Sequence, residues 1–319
     1  MRHLRFVSDD TRLDFMAWRR GAFAFTLALT LVSIVSLAFA GLNLGLDFEG
    51  GVLVEARSAK PIDVGSLRER LVVKRLGDIS LQTFGDDRDI LIRVHLTPSD
   101  EAGPKLAVDA VKSVLGPTYE IRRSEFIGPQ VSHDLLVDGI TASSLAVLLI
   151  AVYVWFRFEW QFGLAALLTT LHDVVVTFGL FSILRLEFDL TVVAAILTIA
   201  GYSINDTVVV FDRIRENLRR YKTMELAALI NLSVNQTLTR TVLTSGTTML
   251  AVMSLLIFGG PVLRNFSAAL AWGIAIGTYS SIFVASSLLL HIPSVRLADA
   301  EAGGGGPAGG RLEAGGSRS

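Results

Sequence analysis

The 319-residue chain contains no cysteine, which excludes disulfides, thiolate metal ligands and cysteine nucleophiles together. Charge is scarce as well: 18% of residues are Asp, Glu, Lys or Arg, where a soluble domain carries about 25%. The charge present cancels, 29 Lys and Arg against 30 Asp and Glu, for a net charge of −1. That balance supplies no basic field for nucleic acid and no acidic field for a cationic partner. His3, His95, His133 and His291 are scattered without metal-ligand spacing. No catalytic group, metal site or organic cofactor is expected.

Apolar length is what the chain has in excess, with 51% hydrophobic residues and a mean hydropathy of +0.53. Six stretches, 21–42, 137–156, 162–184, 190–211, 235–259 and 266–290, reach the roughly 20 apolar residues that a helix needs to cross a hydrocarbon core. The first exceeds the apolar run of a secretory signal, about 7–15 residues. It therefore reads as a retained anchor, despite the cleavage-like Ala38-Phe39-Ala40.

Positive charge sets the orientation. Arg2, Arg5, Arg12, Arg19 and Arg20 precede or open the first span, and Arg213, Arg215, Arg219, Arg220 and Lys222 lie between spans four and five. The loops after spans three and five offer only Arg185 and Arg264. Both termini are thus expected in the cytoplasm, with 1–20 a cytoplasmic segment, 43–134 outside, and spans two to six within 135–292. Residues 213–233 read as an amphipathic helix on the cytoplasmic membrane face, with Leu218, Leu226, Leu229 and Ile230 on its apolar side. The glycine-rich stretch 293–319 cannot bury enough apolar surface to offset its ordering entropy and reads as a disordered cytoplasmic tail.

Residues 43–134 read as a folded α+β domain. Alternation predicts strands at 52–57, 79–84 and 90–96, the last two joined by a turn at 85–88, and a final strand at 119–126. Asp63 is a candidate N-cap for a helix burying Leu67, Leu71 and Leu76. A second helix at 102–115 directs Leu106, Ala110 and Val111 to one face. The order βαββαβ is the ferredoxin-like pattern, here without a nucleotide loop or metal cluster. The class is therefore an α-helical integral membrane protein of six spans, with an inserted α+β ferredoxin-like extracytoplasmic domain between spans one and two.

Ionisable groups inside spans are costly and normally face a partner or a hydrated cavity. Asp206 lies near the cytoplasmic end of span four, beside Asn205, and Arg240 lies early in span five, which runs back outward. The two enter from the same side to similar depth. Burial and a nearby guanidinium pull a carboxyl's proton affinity in opposite directions, so an Asp whose Arg partner approaches and withdraws carries protons as helices move. A static ion pair locking two helices is the other reading. Asp173, beside His172 in span three, reads as a hydrogen-bonded packing residue, with a second relay group as the alternative. Thr237, Thr239, Thr241, Thr244, Ser245, Thr247 and Thr248 give span five hydroxyls that either pack or line a hydrated path. Ala269, Gly273, Gly277, Ser281 and Ala285 form a stripe for close helix approach, within the chain or against a partner.

At these residues the chain resembles the SecF family, the smaller membrane subunit of the SecD–SecF accessory complex in bacterial protein export. The resemblance rests on GLDFEGG at 45–51, IGPQVS at 127–132, HDVVVTFGLF at 172–181, GYSINDTVVVFDRIREN at 201–217, QTLTRTVLTSGTT at 236–248 and GTYSSIFVA at 277–285. It implies half of an RND-type transporter in the inner membrane, coupling the proton motive force to preprotein translocation after the ATP-driven step. It implies SecD as partner, with the SecYEG channel, YajC, YidC, the preprotein and membrane lipid beside it, and protons as the coupling ion. It also implies proton-relay roles for Asp206 and Arg240, supported by Asp173, Asn205, Thr207 and Thr244. Asp47, Phe48, Gly50 and Gly51 carry the family motif at the start of the outer domain. The larger half of the fused SecDF form is missing from this chain, so any relay carboxylate from SecD comes from a separate polypeptide.

Two other functions compete. A proton-coupled small-molecule exporter predicts a drug-sized apolar pocket in the outer domain. An intramembrane aspartyl protease requires Asp173 and Asp206 to share one site.

Overall fold

The computed structural model describes residues 13–74, 79–84, 86–94 and 103–292. Helix α1 (Arg19–Ala40) is followed by a two-residue strand, β1 (Asn43–Leu44), and one helical turn, α2 (Leu46–Glu49). Gly50 and Gly51 then take φ values of 72° and 119°, a region that residues with a Cβ rarely adopt. These two glycines turn the chain directly into β2 (Gly51–Ser58). Next come α3 (Val64–Val72), β3 (Ile79–Phe84), β4 (Asp86–Val94), α4 (Gly103–Leu115) and β5 (Tyr119–Ile127). The four strands pair antiparallel in the order β3-β4-β2-β5.

Alternation decides which side of this sheet is dry. Val52, Val54 and Ala56 of β2 and Ile90 and Ile92 of β4 are fully buried and pack with Leu67, Leu71 and Val111 from the two helices. Asp63 caps α3, accepting hydrogen bonds from the Gly65 and Ser66 amides at 3.0 and 3.3 Å. On α4 the inward stripe is Ala107, Val111, Val114 and Leu115, whereas Leu106 is 66% exposed. Of the expected face, Val111 is buried and Ala110 half-buried while Leu106 is exposed, because residues one position apart differ by about 100° around a helix and the inward stripe runs through Ala107 instead. The turn expected over 85–88 is tighter: β4 already begins at Asp86, which pairs with Phe84. Leu76, and the expected strand and helix ends at 95–96 and 102, lie outside the described residues.

The remaining helices are α5 (Pro129–Arg157), α6 (Trp160–Leu184), α7 (Leu190–Arg220), α8 (Leu226–Phe258) and α9 (Gly260–Tyr279), which continues as a π-helical segment Ser280–Ala285. Strand β6 (Glu187–Phe188) sits in the α6–α7 corner and pairs in parallel with β1. Among the described residues, six helical segments are long and apolar enough to cross a membrane. Half of the apolar window of α6 and of α7, and 61% of that of the last span, is buried, against 6% for α1 and none for α5. The interior is therefore built by α6, α7 and α9, while α1 and α5 present Leu, Ile and Phe outward, as lipid requires.

The small-residue stripe of α9 is used within the chain. A Cβ on Gly273 would come within 2.3 Å of Ile199 Cγ1, and one on Gly277 within 3.4 Å of Ser203 Cβ. Both neighbours belong to α7. Residues 213–233 do not form a separate surface helix. Instead α7 runs unbroken to Arg220 and α8 starts at Leu226. The cause is mutual packing of the two extensions: buried Asn217 donates to Ser233 Oγ at 2.8 Å and to Gln236 Oε1 at 2.9 Å. Leu218, Leu229 and Ile230 join Phe158, Phe162 and Phe211 in one apolar cluster. The expected tail at 293–319 lies outside the described residues.

Candidate functional site

The interior polar groups arise from α7, where Ser203, Asp206 and Thr207 lie at i, i+3 and i+4 and so share one inward face. Asp206 is 5% exposed. Its Oδ1 accepts a hydrogen bond from Thr241 Oγ1 of α8 at 2.9 Å, while Oδ2 has no donor among the described residues. Thr207 Oγ1 and Ser281 Oγ lie 2.9 Å apart and join α7 to the π-helical segment. Asn205 sits on the opposite, exposed side of α7.

Arg240 immediately precedes Thr241, but its side chain is exposed. Among the described residues it forms no ion pair with Asp206. The structure thus brings the two to the same level of adjacent helices without joining them. Thr244 is also exposed and donates back to its own helix, to the carbonyls of Arg240 and Thr241, each at 3.0 Å. Thr237, Thr247 and Thr248 bond likewise within α8. Thr241 and Ser245 reach across: Ser245 accepts from Tyr202 at 3.0 Å and lies 2.7 Å from Thr278 Oγ1.

Asp173 is the better-satisfied carboxylate. It is fully buried; its Oδ2 accepts from Ser203 at 2.5 Å and from Ser280 at 2.8 Å. Its Oδ1 lies 2.9 Å from His172 Nδ1. Three helices therefore meet on one carboxyl group. No hydrogen bond joins Asp173 to Asp206, so the arrangement a protease would need is not formed. Thr241 belongs to the span-five hydroxyls that the sequence offers, whereas Ser203 and Ser280 carry no motif of their own. Their only signal is a hydroxyl at the depth of an acid on a neighbouring span.

Chemically, the two acids differ. A buried polar atom without a partner is costly, so Asp206 Oδ2 has room for a further donor. Asp173, with its oxygens engaged by three partners, knits helices together.

The family-motif residues lie at the end of the bundle that carries the sheet. Asp47 Oδ2 accepts from the Leu190 amide, the first residue of α7, at 2.8 Å. Phe48 stacks on Phe188 with ring centroids 5.9 Å apart. Beside them a cleft of about 820 Å³ separates the sheet from the bundle rim, lined by Glu55, Arg123 and Glu125 on one side and Glu187, Asp189 and Arg264 on the other.

Comparisons with known proteins match this layout. A family profile described as "Protein export membrane protein SecD/SecF, C-terminal" covers residues 107–294, and one described as "SecD/SecF GG Motif" covers residues 35–62. The protein translocase subunit SecF of Rhodobacter capsulatus is 42% identical over 304 residues, which is 91% of each chain. That of Vibrio alginolyticus is 43% identical over 290 residues, 90% of this chain and 91% of the other. The crystal structure of SecDF, a translocon-associated membrane protein from Thermus thermophilus, superposes with a TM-score of 0.81 at 38% identity. The match covers 90% of this chain but 39% of the SecDF chain.

Proposed function

The chain belongs to the SecF family, and from that premise we propose that it is a non-enzymatic accessory subunit of the Sec translocase that uses the proton motive force. In this reading it works with SecD to draw preproteins across the inner membrane after the ATP-driven step. Both its termini are cytoplasmic, and the sheet with its two helices is a ferredoxin-like module on the outer side. The strand order β3-β4-β2-β5 and the βαββαβ sequence of elements support that assignment. SecD is the natural partner, because the matched SecDF chain extends well beyond the part that this chain covers. SecYEG, YajC and YidC complete the proposed assembly.

One observation carries the mechanism: Asp206 is buried and held by Thr241, with Arg240 next along α8 and unpaired to it. Movement of α8 against α7 that exchanges Thr241 for Arg240 expels the proton; the reverse movement reloads it. Asp173, Asn205, Thr207 and Thr244 act as supporting polar groups. Each elementary charge crossing the membrane yields about 2.3 kcal/mol per 100 mV, enough to bias such an exchange. The test is Asp206→Asn in the assembled complex, in vesicles with and without a proton gradient. Gradient-dependent export stimulation is lost while subunit assembly is kept; undiminished stimulation overturns the proposal. Arg240→Lys keeps the charge but not the planar fork and is partly defective.

The exporter reading asks for an apolar pocket. The cleft beside the sheet has a suitable volume, but charged side chains line it in equal number with apolar ones, so it is not the apolar pocket that reading requires and translocation is the better-supported function.

A further inference from the structure

Helix α7, which carries Asp206, begins at a corner that four separate contacts tie to the sheet side of the molecule. Strand β1 pairs with β6, Asn43 opposite Glu187 and Leu44 opposite Phe188. The Gly45 amide donates to the Phe188 carbonyl at 2.8 Å. Asp47 Oδ2 accepts from the Leu190 amide at 2.8 Å. Arg93, on the face of β4 opposite the sheet's own core, forms an ion pair with Glu187, their side chains only 11% and 21% exposed. The closure is tight: a Cβ on Gly45 would lie 3.1 Å from both Asp189 Cβ and Glu187 Oε1.

These contacts reach two strands by independent routes. Strand β2 follows the corner through Gly50 and Gly51 with no intervening linker, and β4 reaches it through Arg93. One tether leaves a body free to swivel, whereas two on different strands fix its orientation. At the sheet edge beside β2, β5 passes through Gly128 straight into α5. A displacement of α7 relative to α5 must therefore tilt the sheet.

We infer that residues 45–51 and the Arg93–Glu187 pair form the joint that transmits movement of α7 to the sheet, with Asp47 as its positioning residue. This rests on the reading of Asp206 as a proton carrier. Asp206 lies sixteen residues along α7 from Leu190, about 24 Å at 1.5 Å per residue, so the joint acts at a distance through a single continuous helix. The relevant property of Asp47 is its hydrogen-bond acceptor rather than its charge, because the contact is to a backbone amide.

The absence of cysteine permits a direct test in the full chain reconstituted with its SecD-type partner, itself made cysteine-free. Ser113→Cys on α4 and Ile257→Cys at the end of α8 accept spin labels at exposed positions. The distance between labels shifts when an inward proton gradient is imposed, and Asp206→Asn abolishes the shift. Asp47→Ala and Arg93→Met also abolish it, while proton passage, read with a dye inside the vesicle, continues. Asp47→Asn, which keeps the acceptor, retains the shift, and the exchange Arg93→Glu with Glu187→Arg restores it. A full shift in both Asp47→Ala and Arg93→Met overturns the joint and leaves the proton reading standing. No shift in the unmodified chain, or one that survives Asp206→Asn, overturns the proton reading and the joint with it.

Discussion

The Thr241 hydroxyl donates a hydrogen bond to Asp206 across the α7–α8 interface at 2.9 Å, while Arg240, one residue earlier, is exposed and, among the described residues, forms no ion pair with it. Consecutive residues on a helix differ by about 100° in direction, but the Arg side chain is long enough to swing toward a neighbour without a full turn of α8. In the proposed relay the neutral hydroxyl and the guanidinium are alternative partners for the same carboxyl.

Thr241→Val keeps the shape of the side chain and removes the donor. Leaving a buried acceptor without its hydrogen bond costs about 1–3 kcal/mol. The expected result is a several-fold loss of gradient-dependent export and a changed pH profile of stimulation. Thr241→Ser restores both. A valine variant with the unmodified profile would show that Thr241 is only packing.

Gly273→Ala tests how closely the last span approaches α7. The added methyl would meet Ile199 Cγ1, Cδ1 and Cγ2 at 2.3, 2.4 and 2.7 Å, and a β-branched side chain has little rotamer freedom with which to yield. Overpacking of this kind costs about 1–3 kcal/mol. Thermal unfolding in detergent should fall for Gly273→Ala and recover in part when Ile199→Ala is added. Simple additivity of the two changes would place the strain elsewhere.

The limits of sequence reading follow from these same residues. Hydropathy over a window of about 20 residues locates all six spans, because lipid enforces apolar length. It misjudges the ends of α7 and α8, where Asn217, Leu229 and Ile230 pack the two helices on each other beyond any apolar window. Alternation places β2 through Val52, Val54 and Ala56, since a sheet buried on one face has a two-residue period. On α4 the expected face holds the buried Val111 but also the exposed Leu106, and near Asp206 the sequence sets Arg240 at the right depth without showing that Thr241 makes the contact. Depth along a span is written in the sequence; azimuth is decided by which helix packs alongside. The role of Asp47 was invisible for a further reason: its partner is the backbone amide of Leu190, 143 positions away.

Glu187 makes the corner sensitive to acidity. Burial pushes its carboxyl up from the ordinary 4.5, with Arg93 opposing and Asp189 and Asp47 adding to the rise. The folded chain therefore binds this proton more tightly than the unfolded chain. Its contribution to stability is greatest at low pH and falls as pH rises from 4.5 through the elevated value. Glu187→Gln flattens that slope in unfolding midpoints measured between about pH 4 and 8. Arg93→Met, which removes the opposing charge, extends the loss to higher pH. An unchanged slope in Glu187→Gln would assign the pH dependence to other groups.

At the far end of the bundle the start of the chain is held by two asparagines one helical turn apart on α8. Asn235 accepts from the Leu13 amide at 2.9 Å and donates to the Leu13 carbonyl at 2.8 Å. Asn231 accepts from the Phe15 amide at 2.8 Å and donates to Asp14 Oδ1 at 3.0 Å. Asn235 reads the backbone in both directions, as a neighbouring strand would, Asn231 clasps one amide and the Asp14 carboxylate, and together they seat Phe15 and Met16 in the apolar cluster with Phe158, Phe162 and Phe211. An aspartate at either position could accept but not donate. Asn235→Asp should therefore loosen residues 13–16 partially and Asn235→Ala fully, with net costs of about 0.5–1.5 kcal/mol per lost hydrogen bond. Limited proteolysis of the intact chain reads this directly, as faster cleavage ahead of Arg19 in the order alanine, aspartate, asparagine. Equal cleavage rates in all three would mean that burial of Phe15 and Met16 alone holds the segment, with the asparagine contacts adding nothing to it.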